Sequence, residues 1–159
     1  EKSIERSSNV ECYDKIYLTR EHIDVFKGEH TPKRWTTNLK EADEIILKNN
    51  YKKVRIDNLH IWDQIKIINS AKNIISFIGA GCDNIIFKNK DCIFTILYAE
   101  NHKRWVDVYY KMSFNSPYYN CINCLTKDNS VHYNPEWGDD DHNNGPYKAN
   151  IDTLQLLLT

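Results

Sequence analysis

The sequence predicts an α/β domain built on a largely parallel sheet with helices on both faces, and three observations predict it. Short β-prone runs alternate with segments whose apolar residues recur at helical spacing. Two of the runs, Lys72 to Ile78 and Cys92 to Leu97, are almost continuously apolar, as in strands covered on both faces. Gly79-Ala80-Gly81 follows the first of these directly, where an α/β protein turns from a strand into its next element.

Residues 1–14 are polar and carry no sustained period, so they read as a linker or the tail of a preceding element, with the domain spanning 15–159. Lys15 to Thr19 is short and β-prone and is ended by Arg20-Glu21-His22, a strand opening into a loop. Gly28 to Arg34, with Pro32 inside it, is loop. Asn38 with Glu41 forms a capping box, and Leu39, Ala42, Ile45 and Ile46 continue a helix that ends near Asn49-Asn50. Tyr51 to Ile56 is the next strand. Asp57 or Asn58 caps a second helix whose apolar face is Ile61, Ile65, Ile68 and Ala71. A short helix over Cys82–Phe87, the buried strand Cys92–Leu97 and a helix from about His102 to Met112 come next. Ser113 to Lys148, rich in aromatic, Asn, Asp, Pro and Gly residues, reads as one long loop. Ile151 to Leu158 closes the chain as a helix capped by Asn150 or Asp152.

Composition bounds the function. At 159 residues the chain holds one sizeable core, and 41% hydrophobic with 27% charged residues is the balance of a globular protein. Lys+Arg 21 against Asp+Glu 22 leaves a net charge of -1, so the basic footprint of a nucleic-acid binder is missing. The apolar runs fall far short of the ~20 residues a membrane helix needs, so no membrane insertion by this segment is expected. The chain starts at Glu1 without Met, which reads as a domain from a longer protein or a processed product; localisation stays open between the cytoplasm and the secretory-pathway lumen. Five Cys with a single CxxC, Cys121 and Cys124, suit ordinary thiols better than a disulfide framework or a zinc site.

A buried strand running into a GxG turn and then a helix is a phosphate-binding arrangement, because small residues let the backbone approach and a helix start offers N–H groups. Glu100 stands where a ribose-binding acid belongs, but Asn84 occupies the position of the third glycine, so a nicotinamide-dependent enzyme is a lesser reading. Asp139-Asp140-Asp141 contains a DxD but follows Pro135-Glu136-Trp137-Gly138 rather than a buried strand, and reads as a solvated acidic loop. No HExxH motif occurs, and spacing assembles no Ser, His and Asp set.

The order of these segments resembles the C-terminal, donor-binding half of glycosyltransferase family 61. Ile16 to Arg20 is similar to the family's strand ending in Ser-Arg, and Arg34 with Asn38 to its Arg-rich turn into an Asn-led helix. Leu59 to Gln64 followed by Asn69 to Lys72 resembles a helix bearing Glu-Gln before Ser-Ala; Ile75 to Asn84 resembles the hallmark strand leading into His-Gly-Ala-Gly; Pro146 to Leu158 resembles the closing segment. The hallmark His is Ile78 here, and the preceding Gly-Pro is Ser76-Phe77.

The resemblance implies a Rossmann-like sheet forming one half of a GT-B glycosyltransferase, an inverting enzyme that moves a sugar from a nucleotide sugar to a glycan or glycoprotein acceptor. It implies a substrate-binding set of Arg20, Arg34, Gln64, Gly79, Ala80, Gly81 and Asn84, with no catalytic base assignable. It also implies an upstream N-terminal domain and no cofactor, the nucleotide sugar being a substrate; because the DxD lacks a preceding strand, no strict metal requirement is expected. His102, Lys103 or Arg34 would replace the contact of the hallmark His. The rival expectation is a catalytically inactive binding or scaffolding domain that kept the fold.

Overall fold

A computed structural model describes residues 9–19, 34–114, 116–128, 130 and 145–158, with the backbone alone at Arg34, Trp35, Ala80 and Gly145. Among the described residues seven strands form one sheet: β1 (Lys15–Leu18), β2 (Arg34–Thr36), β3 (Lys52–Val54), β4 (Asn73–Phe77), β5 (Ile93–Ala99), β6 (Tyr119–Lys127) and β7 (Gly145–Ala149). Their order is β2-β7-β6-β5-β4-β1-β3. The strands β3, β1, β4, β5 and β6 are parallel, as expected; β7 runs antiparallel to β6, and β2 pairs with β7. The chain steps from β1 outward to β3 and returns past β1 to β4. Strand order therefore reverses beside β1 and β4, and in open α/β sheets such a reversal opens a crevice at the carboxyl ends of the strands.

Alternation along the strands builds two apolar layers. Ile16, Leu18, Ile74, Phe94 and Ile96 face α2 (Ile61–Ser70) and α3 (Lys103–Met112), meeting Ile67, Ile68 and Tyr109. Val10 and Tyr13 pack against this layer too. Tyr17, Ile75 and Leu97 face the other way, towards Ala42 and Ile46 of α1 (Leu39–Lys48) and Leu154 of α4 (Ile151–Leu158). Each such aliphatic side chain contributes roughly 1.5–3 kcal/mol on burial, so the two layers fix the strand register.

Four local expectations need correction. Ser113 to Lys148 is not one loop, since it holds α3's exit, β6 and the start of β7. The cause of the misreading lies in β6: Tyr98 pairs with Asn123 and Ala99 with Leu125, so Cys124 is an irregularity that breaks the two-residue period. In α2 the buried seam runs through Ile67 and Ile68 rather than Ile61 and Ile65, because the helix packs against both the sheet and the segment Ala80–Phe87, while Ile61 is exposed. His60, not Asp57 or Asn58, caps α2, its Nδ1 accepting from the Trp62 amide at 3.4 Å. The short helix is a 3₁₀ segment over Ala80–Phe87.

Asn38 also departs from its expected role. It precedes α1 but makes no side-chain cap; its Nδ2 donates to the Ala149 carbonyl at 3.0 Å and its Oδ1 accepts from the Ala149 amide at 2.8 Å. The amide thus pairs with the end of β7 as a strand backbone would. At the other terminus the expectation holds, with Asn150 Oδ1 accepting from the Thr153 amide at 3.0 Å.

Candidate functional site

The carboxyl end of β4 is where the sheet's polar geometry concentrates. The register pairs Leu18 with Ser76, and Thr19 donates its amide to Val54 O at 3.1 Å, so β1 ends between β3 and β4. Ile78 extends β4 by one bond, its amide donating to Leu97 O at 2.9 Å. Gly79 then adopts φ 157° and ψ -174°, a conformation held almost only by glycine. It turns the chain off the sheet and into the 3₁₀ segment.

Gly79 O accepts two bonds, from the Cys82 amide at 2.8 Å and from the Tyr109 hydroxyl at 3.1 Å. The amides of Ala80 and Gly81 come before the first 3₁₀ bond, so the helix itself gives them no partner. Gly81 is under no comparable constraint: a Cβ there would meet Ser76 Oγ at 3.7 Å, an ordinary contact. Asn84 sits on the same segment and donates Nδ2 to Gly81 O at 3.2 Å. Gln64 lies on α2 and donates Nε2 to Leu59 O at 2.9 Å, bracing the loop that leads into the helix.

The two arginines fall differently. Arg20 directly follows Thr19 at the end of β1 but lies outside the described residues, as does Asp139-Asp140-Asp141. Arg34 begins β2, which puts it at the same end of the sheet but four strands away from β4, about 19 Å at the usual strand spacing. The backbone therefore does not bring Arg34 beside the Gly79 turn.

The turn after β5 is its neighbour. Asn101 Nδ2 donates to the Tyr147 hydroxyl at 2.8 Å, and that hydroxyl lies 3.3 Å from His102 Nε2 with the two rings 5.0 Å apart. His102 is fully buried, so it offers no edge to a ligand in place of the hallmark His. Lys103 is exposed and pairs loosely with Glu100 at 3.8 Å; Glu100 also accepts from Asn123 Nδ2 at 2.9 Å. Ile78 is only 7% exposed and belongs to the apolar layer under α2 and α3.

The thiols are structural in character. Cys82 lies beneath the turn with Sγ 3.6 Å from Ser76 Oγ, and burial pushes its pKa up to about 12. Cys121 and Cys124 pack into opposite layers, so the CxxC spans the sheet rather than presenting two sulfurs to one ion. Among the described residues no cluster of three His, Cys, Asp or Glu side chains could hold a metal.

The family model for glycosyltransferase 61 matches residues 2–95, more than half of the chain. The chain belongs to glycosyltransferase family 61. Within it the matched span runs from before β1 into β5 and so contains the reversal of strand order and the Gly79 turn. No curated protein and no solved structure matches the chain. Tyr109 is the residue at this family 61 turn that sequence reasoning missed. Its position on an amphipathic helix marks it as core, and nothing in the sequence ties it to a glycine 30 residues earlier.

Proposed function

We propose that this family 61 chain is the donor-binding half of an inverting glycosyltransferase, holding the diphosphate of a nucleotide sugar at the carboxyl end of β4. The single observation that carries this is the glycine-only conformation of Gly79 at the reversal of strand order, which exposes the start of a helical segment to an anion. Direct displacement at the anomeric carbon forms a bond to the acceptor hydroxyl oxygen and breaks the bond to the diphosphate. The leaving group gathers negative charge and the acceptor oxygen loses a proton to a base.

Amides of Ala80 and Gly81 and the guanidinium of Arg20 supply the charge stabilisation, with Gln64 and Asn84 bracing the surrounding backbone. The base and the acceptor site, for a glycan or a glycoprotein, belong to an upstream N-terminal domain. The reaction needs no strict metal, since backbone amides and an arginine stand in for the cation.

Calorimetry of the chain with UDP and with GDP, with and without EDTA, tests this reading. One of the two binds, EDTA leaves the affinity unchanged, and Arg20→Ala weakens it on the order of tenfold or more, the loss of a charged hydrogen bond. Absence of binding by both nucleotides, or an Arg20→Ala variant that binds like wild type, would overturn the assignment.

A further inference from the structure

We propose that Tyr109 is a positioning residue for the donor diphosphate, its hydroxyl locking the Gly79–Ala80 peptide so that the Ala80 N–H faces the ligand. This rests on the reading that the Gly79 turn binds the diphosphate. In a trans peptide the carbonyl and the following N–H point in opposite directions within one plane, and the described chain contains no cis bond. Whatever fixes Gly79 O therefore fixes the direction of the Ala80 N–H.

The Gly79 carbonyl is held from two sides. The Cys82 amide reaches it at 2.8 Å from within the 3₁₀ segment, and Tyr109, buried on α3, reaches it at 3.1 Å from a separate element. Both bonds draw the carbonyl inward, and the Ala80 N–H is accordingly directed away from them, towards the open end of the strands. Glycine gives the turn its shape but leaves this peptide the softest in it, because no Cβ restricts rotation. A bond from Cys82 alone lets the plane pivot about its own turn; one from α3 stops the pivot. A donor held in place before the ligand arrives stabilises charge without reorganising.

Tyr119 provides a matched control. Its hydroxyl donates to Val106 O at 2.8 Å, a tyrosine–carbonyl bond in the same layer whose acceptor lies on α3 and not in the turn. Tyr109→Phe and Tyr119→Phe each remove one such bond, and thermal unfolding shows whether their stabilities match. With whichever of UDP or GDP binds the wild-type chain, Tyr109→Phe weakens binding about three- to tenfold while Tyr119→Phe leaves it unchanged. In the amide spectrum the Ala80 resonance moves strongly on saturation of the wild type and less in Tyr109→Phe.

Equal losses in the two variants, a Tyr109→Phe affinity within twofold of wild type, or an Ala80 resonance that stays put while wild type binds would each overturn the role of Tyr109 and leave the site standing. Failure of wild type to bind either diphosphate would overturn the site, and the role of Tyr109 with it.

Discussion

The two ends of the sheet are built from different chemistry. Where β4 and β5 end, the described residues are conformationally constrained by polar contacts: Gly79, the buried Tyr147–His102 pair joined by Asn101, and Glu100 held by Asn123. Where the same strands begin, a cavity of about 450 Å³ lies between the sheet and α4, lined by Ile75, Leu97 and Leu154 together with the polar Asn73, Thr95 and Asn120. Parallel strands make this asymmetry unavoidable, because every loop at one end leaves a strand and every loop at the other enters one. The leaving loops open the crevice at the strand reversal and carry N–H groups outward. The leaving loops thus carry the candidate anion site, while the entering end holds the core that packs α4 around the cavity.

Substitutions at the two ends therefore separate stability from affinity. The largest effect belongs to the end packed by α4. Leu154 is buried against Ile75 and Leu97, and Leu154→Ala costs about 2–5 kcal/mol in chemical denaturation. Nucleotide affinity, measured where the variant is folded, stays at the wild-type value; a parallel loss of affinity would erase the distinction.

Gly79→Ala follows, and it sharpens the contrast by touching both quantities. Forcing a Cβ residue into a glycine-only conformation costs roughly 1–3 kcal/mol. Relief of that strain moves the turn, so nucleotide binding falls with it. Gly81→Ala differs: its Cβ meets only Ser76 Oγ at 3.7 Å, and stability changes by no more than about 0.5 kcal/mol. Thermal unfolding of the pair reads the difference directly, and equal losses would show that the turn is not held by Gly79 alone.

Ile78→His probes the boundary between the polar end and the core. The side chain is 7% exposed within the layer under α2 and α3, so an imidazole placed there costs roughly 1–3 kcal/mol. A lower melting temperature with unchanged affinity is expected. A gain in nucleotide affinity would mean that position 78 faces the ligand after all.

The same contrast explains what the sequence made legible. Ile16, Leu18, Ile74 and Phe94 announce buried strands because burial on both faces leaves little room for polar residues, and the Gly-Ala-Gly turn is visible because only glycine tolerates Gly79's geometry. Those features supply the parallel core, the two helical layers and the position of the candidate site. The β2-β7-β6 side of the sheet is obscured at β6, where Asn120, Asn123 and the irregularity at Cys124 interrupt the alternation on which strand recognition depends. Asn38 and Tyr109 were misread or missed for another reason. Their partners, Ala149 and Gly79, are brought to them by tertiary structure, whereas capping boxes and helical periods describe only near neighbours.

The smallest effect expected lies at the far side of the polar end, at Asp128. Its carboxylate accepts from the Ser130 hydroxyl and amide and from the Thr37 hydroxyl, and these bonds hold its pKa below the ordinary value of 3.8, the Ser130 hydroxyl contributing most. Hydrogen bonds to the charged form stabilise the folded state wherever that form is populated. The contribution is therefore complete above the ordinary aspartate range and disappears as pH falls through the depressed folded value. Solvent exposure screens it, so melting temperature responds weakly. A carboxyl-carbon titration reads it instead. Ser130→Ala should raise the Asp128 midpoint towards 3.8, and Thr37→Val should raise it by less, since Thr37 is the second contributor. Nucleotide affinity at neutral pH should not change in either variant, because Asp128 is ionised in all of them and adjoins β7 rather than β4. A loss of affinity in Ser130→Ala would extend the binding region across the sheet to the β6–β7 pair and redraw the polar end as a single site.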